Sequence, residues 1–313
     1  MPKISIITPC YFNEGNIPVS GAALLKNESN FPSDVVFEYI FIDDGSKDNT
    51  YIELEKFQRL NPNKVKLIKL SRNFGADYAS YCGISHSTGD CCVMLAADLQ
   101  EPLELIPKLY THWLNGYKLV LGYKANREDS LLTKLFSNSY HYLVRKIALP
   151  NAPPGGFDLW LFDKQLKEQL VAMKEKNFFL PYLFIWMGFE YVSVPYTRRK
   201  REIGKSRWTL SKKVKSFVDS FVSFSYLPLR MISVIGILLG LAAIGYVIVI
   251  FITIAYDKHP VQGWTSLMIV LLLVSSFIMI SLGVIGEYIW RTLDASRNRP
   301  NFIIDKIVDE TQK

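Results

Sequence analysis

The chain has 313 residues, 49% of them hydrophobic, enough for one large domain or two smaller ones. Lysine and arginine outnumber aspartate and glutamate by 36 to 29, a formal net charge of +7. Cys10, Cys82, Cys91 and Cys92 form no CxxC pair, which argues against a zinc site or a disulfide framework and suits a reducing compartment.

Met1-Pro2-Lys3-Ile4-Ser5 has no basic stretch leading into an apolar core, so no signal peptide is expected. Residues 1 to about 225 are accordingly expected on the side of synthesis. Short buried strands read at Ile4–Thr8 (closed by Pro9), Tyr39–Ile42, Val65–Leu70, Cys91–Ala96 and Leu119–Gly122. Helical patterns lie between them at Ile17–Leu25, Thr50–Leu60, Ala76–Ser85 and Leu103–Trp113. This alternation predicts an α/β fold with a mostly parallel, helix-covered sheet. Residues 129 to 195 are mixed, with a break at Pro153-Pro154-Gly155-Gly156.

Three of the expected strands end in polar groups. They run into Pro9-Cys10-Tyr11-Phe12-Asn13-Glu14, Asp43-Asp44-Gly45-Ser46 and Asp98-Leu99-Gln100. In a doubly wound sheet such loops gather along one edge, where ligands bind. Asp98 and Gln100 offer hard oxygen ligands of the kind a divalent cation on a diphosphate uses. Asp98 also reads as a helix N-cap before Pro102. No G-x-G-x-x-G and no P-loop is present, so a diphosphate would need neutralising another way, and a cation held by Asp98 and Gln100 would do it.

From Arg198 to Lys215 nine cations face Glu202 alone, a pattern that fits an anionic membrane surface or a phosphate-bearing ligand. Aromatic stacking platforms are not interleaved with these charges, so no nucleic-acid partner is expected. Val214, Phe217, Val218, Phe221 and Phe224 share one helical face, predicting an amphipathic interfacial helix over residues 209 to 227. A helix packed on the preceding domain is the alternative. Met231 to Tyr256 and Pro260 to Gly286 carry no charge, and each is long enough to cross the ~30 Å hydrocarbon core of a bilayer. Lys and Arg crowd both flanks, while Asp257 to Trp264 carries one lysine. The positive-inside rule therefore predicts a multi-pass integral membrane protein with two spans and both termini in the cytoplasm. Gly236, Gly240 and Gly245, with Ala242 and Ala243, offer close-packing faces, so a homo-oligomer is expected.

Taken together, Asp43-Asp44-Gly45-Ser46-x-Asp48-x-Thr50, Ser71-Arg72-Asn73-x-Gly75 and Ala97-Asp98-Leu99-Gln100-x-Pro102 resemble the family 2 glycosyltransferases with a GT-A fold. Arg201-x-x-Gly204-Lys205-Ser206-x-Trp208, followed by an amphipathic helix and two spans ending in Gly286-Glu287-Tyr288, is similar to the polyisoprenyl-phosphate branch, in particular the bacterial bactoprenol glucosyltransferases. The resemblance covers nearly the whole chain. It implies a Rossmann-like GT-A domain over residues 1–208, interfacial helices over 209–227, a transmembrane hairpin over 228–290 and a cytoplasmic tail over 291–313.

The resemblance further implies a nucleotide-sugar site. Pro9, Tyr11, Glu14 and Asp43 would hold the base and ribose, with Arg72 in the same site. Asp44 would sit nearby or fix the turn with Gly45. Asp98 and Gln100 would bind Mg²⁺ or Mn²⁺ as a Lewis acid on the departing nucleotide. The family usually carries Asp-x-Asp where this chain has Ala96-Ala97-Asp98, so one carboxylate is missing. Asp158, after Pro154-Gly155-Gly156-Phe157, resembles the family's candidate base. A lipid monophosphate has its second pKa near ~6 and arrives mostly ionised, so Asp158 is expected to orient more than to remove a proton. Arg201, Lys205, Ser206 and Arg207 would grip the lipid phosphate.

The implied activity is inverting transfer of a hexose, glucose from UDP-glucose, to undecaprenyl phosphate on the cytoplasmic face. GDP-mannose, UDP-N-acetylglucosamine and aminoarabinose donors are alternatives. A non-catalytic membrane scaffold is the alternative of another class, favoured by Ala96 alone. A processive polysaccharide synthase would need a Gln-x-x-Arg-Trp motif and more spans. Here the Gln position is Gly204.

Overall fold

The computed structural model describes residues 1–125, 131–173, 175–199, 219–256 and 263–310. They divide into two compact units, Met1–Ser220 with Pro300–Lys313, and Phe221–Arg299.

The first unit is a single eight-stranded sheet. Its strands are β1 (Lys3–Cys10), β2 (Val36–Asp43), β3 (Val65–Leu70), β4 (Cys91–Met94), β5 (Leu119–Lys124), β6 (Leu159–Asp163), β7 (Tyr191–Tyr196) and β8 (Ile304–Val308). They lie in the order β7-β5-β6-β4-β1-β2-β3-β8. The quartet β3-β2-β1-β4 is parallel throughout. Its strands are apolar on both faces, as a sheet covered by helices on both sides requires.

One face takes α1 (Ile17–Asn27), α2 (Thr50–Leu60) and α4 (Leu105–Leu114), whose Ile17, Leu24, Leu54, Ile106 and Leu109 pack with Ile4, Tyr39, Phe41 and Val93. Each such fully buried aliphatic side chain contributes roughly 1.5–3 kcal/mol. The other face takes α3 (Ala76–Ser85), α6 (Lys164–Met173) and α7 (Leu180–Trp186). At Gly83 α3 lies so close to the sheet that a Cβ would stand 2.4 Å from Ile7 and 2.5 Å from Ile42. A further helix, α5 (Leu131–Leu143), follows β5.

Two reversals of strand direction shape the site. β6 runs antiparallel to β4 and to β5, and β7 returns parallel to β5. The start of β6 and the ends of β5 and β7 therefore reach the edge where β1 to β4 end. Alternation alone would have placed the start of the next parallel strand at the opposite edge.

The stretch expected as a cytoplasmic tail, 291–313, contains a strand that the sequence reading did not name. Ile304–Val308 is the eighth strand, antiparallel to β3. Its pattern of two apolar ends around Asp305 and Lys306 is too short to announce a strand without its partner. Asp309, just beyond it, lies 3.0 Å from the buried Lys66 ammonium, which also faces buried Glu38 at 3.6 Å.

The second unit contains two long apolar helices, α8 (Leu227–Tyr256) and α9 (Trp264–Ser296). Within them Leu227–Val249 and Leu267–Ser296 are long and apolar enough to cross a membrane. At Gly236 an added Cβ would lie 3.7 Å from the Phe277 ring, an ordinary contact, whereas at Gly240 and Gly245 it would meet nothing within 4 Å among the described residues. Of the expected amphipathic helix over 209–227, residues 219–224 are helical, the helix breaks at Ser225 and Tyr226, and residues 209–218 lie outside the described residues.

Candidate active site

The carboxyl ends of β1 and β2 are tied together, because the Asp44 amide donates to the Cys10 carbonyl at 2.9 Å. Beyond β1 the loop is fixed by side chains from the next crossover. Ser46 Oγ accepts from the Phe12 amide at 3.1 Å and Thr50 Oγ1 from the Asn13 amide at 2.7 Å. Glu14 is exposed and accepts from the Asn49 amide at 2.9 Å. Glu14 is thus engaged in loop construction. Pro9 and Tyr11 are half-buried at the same strand end.

Asp43 and Asp44 have different surroundings. Asp44 accepts from the Phe74 amide at 2.7 Å, the Gly75 amide at 3.0 Å and the Asn73 side-chain amide at 2.9 Å. It therefore fixes the loop after β3 that carries Arg72. Burial pushes the Asp44 carboxyl up to about 6, against the pull of these amides. Gly45 has φ +66°, and a Cβ there would meet the Arg72 carbonyl carbon at 2.4 Å. Asp43 is fully buried. Its Oδ1 accepts from the Ser46 amide, while its Oδ2 has no partner among the described residues. Burial raises its pKa above the usual carboxylate range. Of the pair, Asp44 is taken up by the loop it holds, whereas Asp43 keeps an oxygen without a partner among the described residues.

β4 ends at Met94, and the chain turns through Ala96 and Ala97 to Asp98. Asp98 Oδ1 accepts from the Gln100 amide at 3.3 Å across Leu99, which has φ +52°. A bulky residue in that region is strained, and Leu99 is held there by packing on the core. The next helix begins only at Leu105 and no side chain caps it, which removes the N-cap reading of Asp98. Ala96 is exposed, and Asp98 and Gln100 are half-buried.

Asp158 sits before β6 at the same edge. Its Oδ2 accepts an ion pair from Lys124 Nζ at 2.8 Å and a hydrogen bond from the Tyr196 hydroxyl at 3.1 Å. Burial, then the Asp158 and Glu101 charges, push the Tyr196 hydroxyl up, so it stays a donor. Glu101 is buried, and its Oε2 has no partner among the described residues. Burial, then the charges of Asp98 and Asp158, raise its carboxyl to about 7. Arg198, two residues past Tyr196, donates to Gln100 Oε1, and the Arg199 amide donates to the Gln100 carbonyl at 2.9 Å. Arg201, Lys205, Ser206 and Arg207 lie outside the described residues.

Lys124, Glu101, Tyr196 and Arg198 were missed from sequence. Lys124 closes an apolar strand, the signal that marked Asp43 and Asp98. Arg198 is one of nine cations in its run, with nothing local to single it out.

The donor set fits Mg²⁺ or Mn²⁺. Asp98, Gln100 and the buried Glu101, whose Oε2 has no partner among the described residues, carry hard oxygens of the type such a cation takes. No three His, Cys, Asp or Glu side chains form a cation cage among the described residues. A cation here would be completed by phosphate oxygens and water, the usual habit of Mg²⁺.

The profile of Glycosyl transferase family 2 matches residues 5–171, more than half the chain and nearly all of these loops. The chain belongs to this family. It is a glycosyltransferase, as the family 2 resemblance implied. A second profile, the GtrB C-terminal hairpin, matches residues 227–291 of this glycosyltransferase, the two apolar helices. Similar proteins include the uncharacterized glycosyltransferase YkcC of Bacillus subtilis, 32% identical over 86% of this chain and 84% of that one. The SfII prophage-derived bactoprenol glucosyl transferase of Shigella flexneri is 31% identical over 97% of this chain and 98% of its own length. Among solved structures, the mannosyltransferase PcManGT from Pyrobaculum calidifontis, in complex with GDP-Man and Mn²⁺, aligns with TM-score 0.50 and 16% identity over 71% of this chain and 64% of that one. The shared fold is GT-A.

Proposed function

We propose that this glycosyltransferase moves a hexose, glucose from UDP-glucose, onto a polyisoprenyl phosphate of the undecaprenyl type at the cytoplasmic membrane face. Near-full-length similarity to proteins named bactoprenol glucosyl transferase carries the reading. The site residues and the hairpin support it.

The unpartnered Asp43 Oδ2 would accept from the base, with Pro9 and Tyr11 beside it and Arg72 near the phosphates. Asp98 and Gln100 would hold Mg²⁺ or Mn²⁺, which neutralises charge building on the leaving diphosphate. An oxygen of the lipid phosphate attacks the anomeric carbon from the face opposite the nucleotide. The new C–O bond forms as the bond to UDP breaks, and UDP leaves with the electron pair. Asp158, held through one oxygen by Lys124 and Tyr196, would turn Oδ1 to a sugar hydroxyl. Arg201, Lys205, Ser206 and Arg207 would receive the lipid phosphate.

Topology has independent support. β8 follows both apolar helices, yet it is hydrogen-bonded to β3, which precedes them. Strands from both sides of the hairpin thus belong to one sheet, which supports an even number of crossings. Self-association through the open Gly240 and Gly245 positions belongs to the same proposal.

The test is a screen of radiolabelled sugar nucleotides with undecaprenyl phosphate and Mn²⁺. Glucose transfer from UDP-glucose above all other donors is expected. A preference for another donor replaces the glucose reading, and no turnover with any donor favours the scaffold.

A further inference from the structure

Gln100 Oε1 is the oxygen expected to reach a divalent cation, and it accepts a hydrogen bond from the Arg198 guanidinium. Arg198 is not there by a loose surface encounter. Its neighbour Arg199 is anchored twice, by its amide on the Gln100 carbonyl at 2.9 Å and by its guanidinium on both Glu104 oxygens at 3.0 Å. That anchor holds the backbone while leaving the exposed Arg198 side chain able to swing.

The charges around it are acidic. Asp98 and Asp158 both act on Glu101 across this corner, and Arg198 is the cation that opposes the acidic charges at both Glu101 and Tyr196. A guanidinium bonded to one lone pair of an amide oxygen repels a divalent cation seeking the other. Ala96 sharpens the contest, because the corner lacks a carboxylate that would have drawn the cation in. A planar guanidinium is also well matched to diphosphate oxygens.

We propose that Arg198 is an exchangeable counter-cation of the donor corner: it holds Gln100 in competition with the divalent cation, and passes to a diphosphate oxygen when cation and donor are bound. The inference rests on the metal reading of Asp98 and Gln100. It makes Arg198 a positioning residue whose removal has opposite effects on the two halves of donor binding.

The experiment uses the full chain in detergent. Binding of Mn²⁺ alone is read by electron paramagnetic resonance, and binding of UDP at saturating Mn²⁺ by calorimetry. Arg198→Met should bind Mn²⁺ alone several-fold more tightly than wild type and UDP several-fold more weakly. Arg198→Lys should fall between on both. Unchanged or weaker Mn²⁺ binding in Arg198→Met overturns the exchange, as does unchanged UDP binding. A purely structural role would weaken both, which also overturns it. Asp98→Ala and Gln100→Ala separate the two levels. If neither weakens Mn²⁺ binding, the metal reading itself fails. If they do and Arg198→Met changes nothing, only the exchange fails.

Discussion

Lys124 Nζ lies 2.8 Å from Asp158 Oδ2, joining the end of β5 to the start of β6 at the edge where the donor loops gather. Tyr196 donates to the same oxygen from the end of β7. A carboxylate held twice through one oxygen is well placed to orient a ligand. Replacing it by an amide should cost about tenfold in transfer. A general base would cost about 10²–10⁴-fold. Asp158→Asn is therefore expected to lose less than Asp98→Ala, compared as kcat/KM from pH 6 to 8. A larger loss at Asp158 would refute the orienting role.

Asp98→Ala should abolish both transfer and Mn²⁺ binding, with thermal unfolding unchanged because the side chain is only half-buried. The converse change is Ala96→Asp. Its side chain is exposed, so an added carboxylate meets no core atoms. We expect Mn²⁺ affinity to rise about tenfold, ~1.4 kcal/mol. Unaltered affinity would place the cation away from Ala96.

Gly45→Ala should disable donor binding without touching a ligand group. The turn needs φ +66°, and the new Cβ would press on the Arg72 backbone at 2.4 Å. The loop held by Asp44 must then shift. UDP affinity measured by calorimetry should fall at least tenfold, and normal affinity would show the loop to be dispensable.

Asp44 yields a pH prediction. Its folded pKa of about 6 lies above the 3.8 ordinary for a free aspartate, because burial outweighs its amide donors. The folded state therefore binds the proton more tightly, and that stabilisation is lost as pH rises from about 4 through 6. Asp44→Asn does not titrate. Its stability relative to wild type should rise between pH 4 and 7, by on the order of 2–3 kcal/mol, whatever constant loss its missing acceptor causes. Chemical denaturation across that range checks the slope. An opposite slope would mean that the Phe74 and Gly75 amides prevail.

Lys66→Met tests the strand that returns after the hairpin. It leaves Glu38 and Asp309 without their shared cation. Breaking a buried pair in this way costs about 3–5 kcal/mol, although Lys3, 3.6 Å from Glu38, should soften it. Asp309→Asn, at a partner whose side chain is 21% exposed, should cost about 1 kcal/mol. Thermal unfolding of the full chain reads both, and no loss in either would show that the edge of the sheet does not depend on residues beyond the spans.

Local patterning determined much of this protein. Strands β1 to β5, the helices α1 to α4 and both apolar helices are legible because each carries its own periodicity or length. The placing of Asp43, Asp98 and Gln100 at one sheet edge is legible too, because a parallel strand delivers its end and the loop after it to that edge. Only the tertiary structure decided the rest, since it depends on contacts between residues far apart in sequence. Asp44 became a loop anchor through amides some thirty residues on. Asp158 and Lys124 met because β6 reverses direction. The tail became a strand because β3 offered an open edge. Arg198 was one charge among nine until the end of β7 brought it to Gln100. Chain order encodes which oxygens stand at the ligand edge, and the fold decides which side chains meet them.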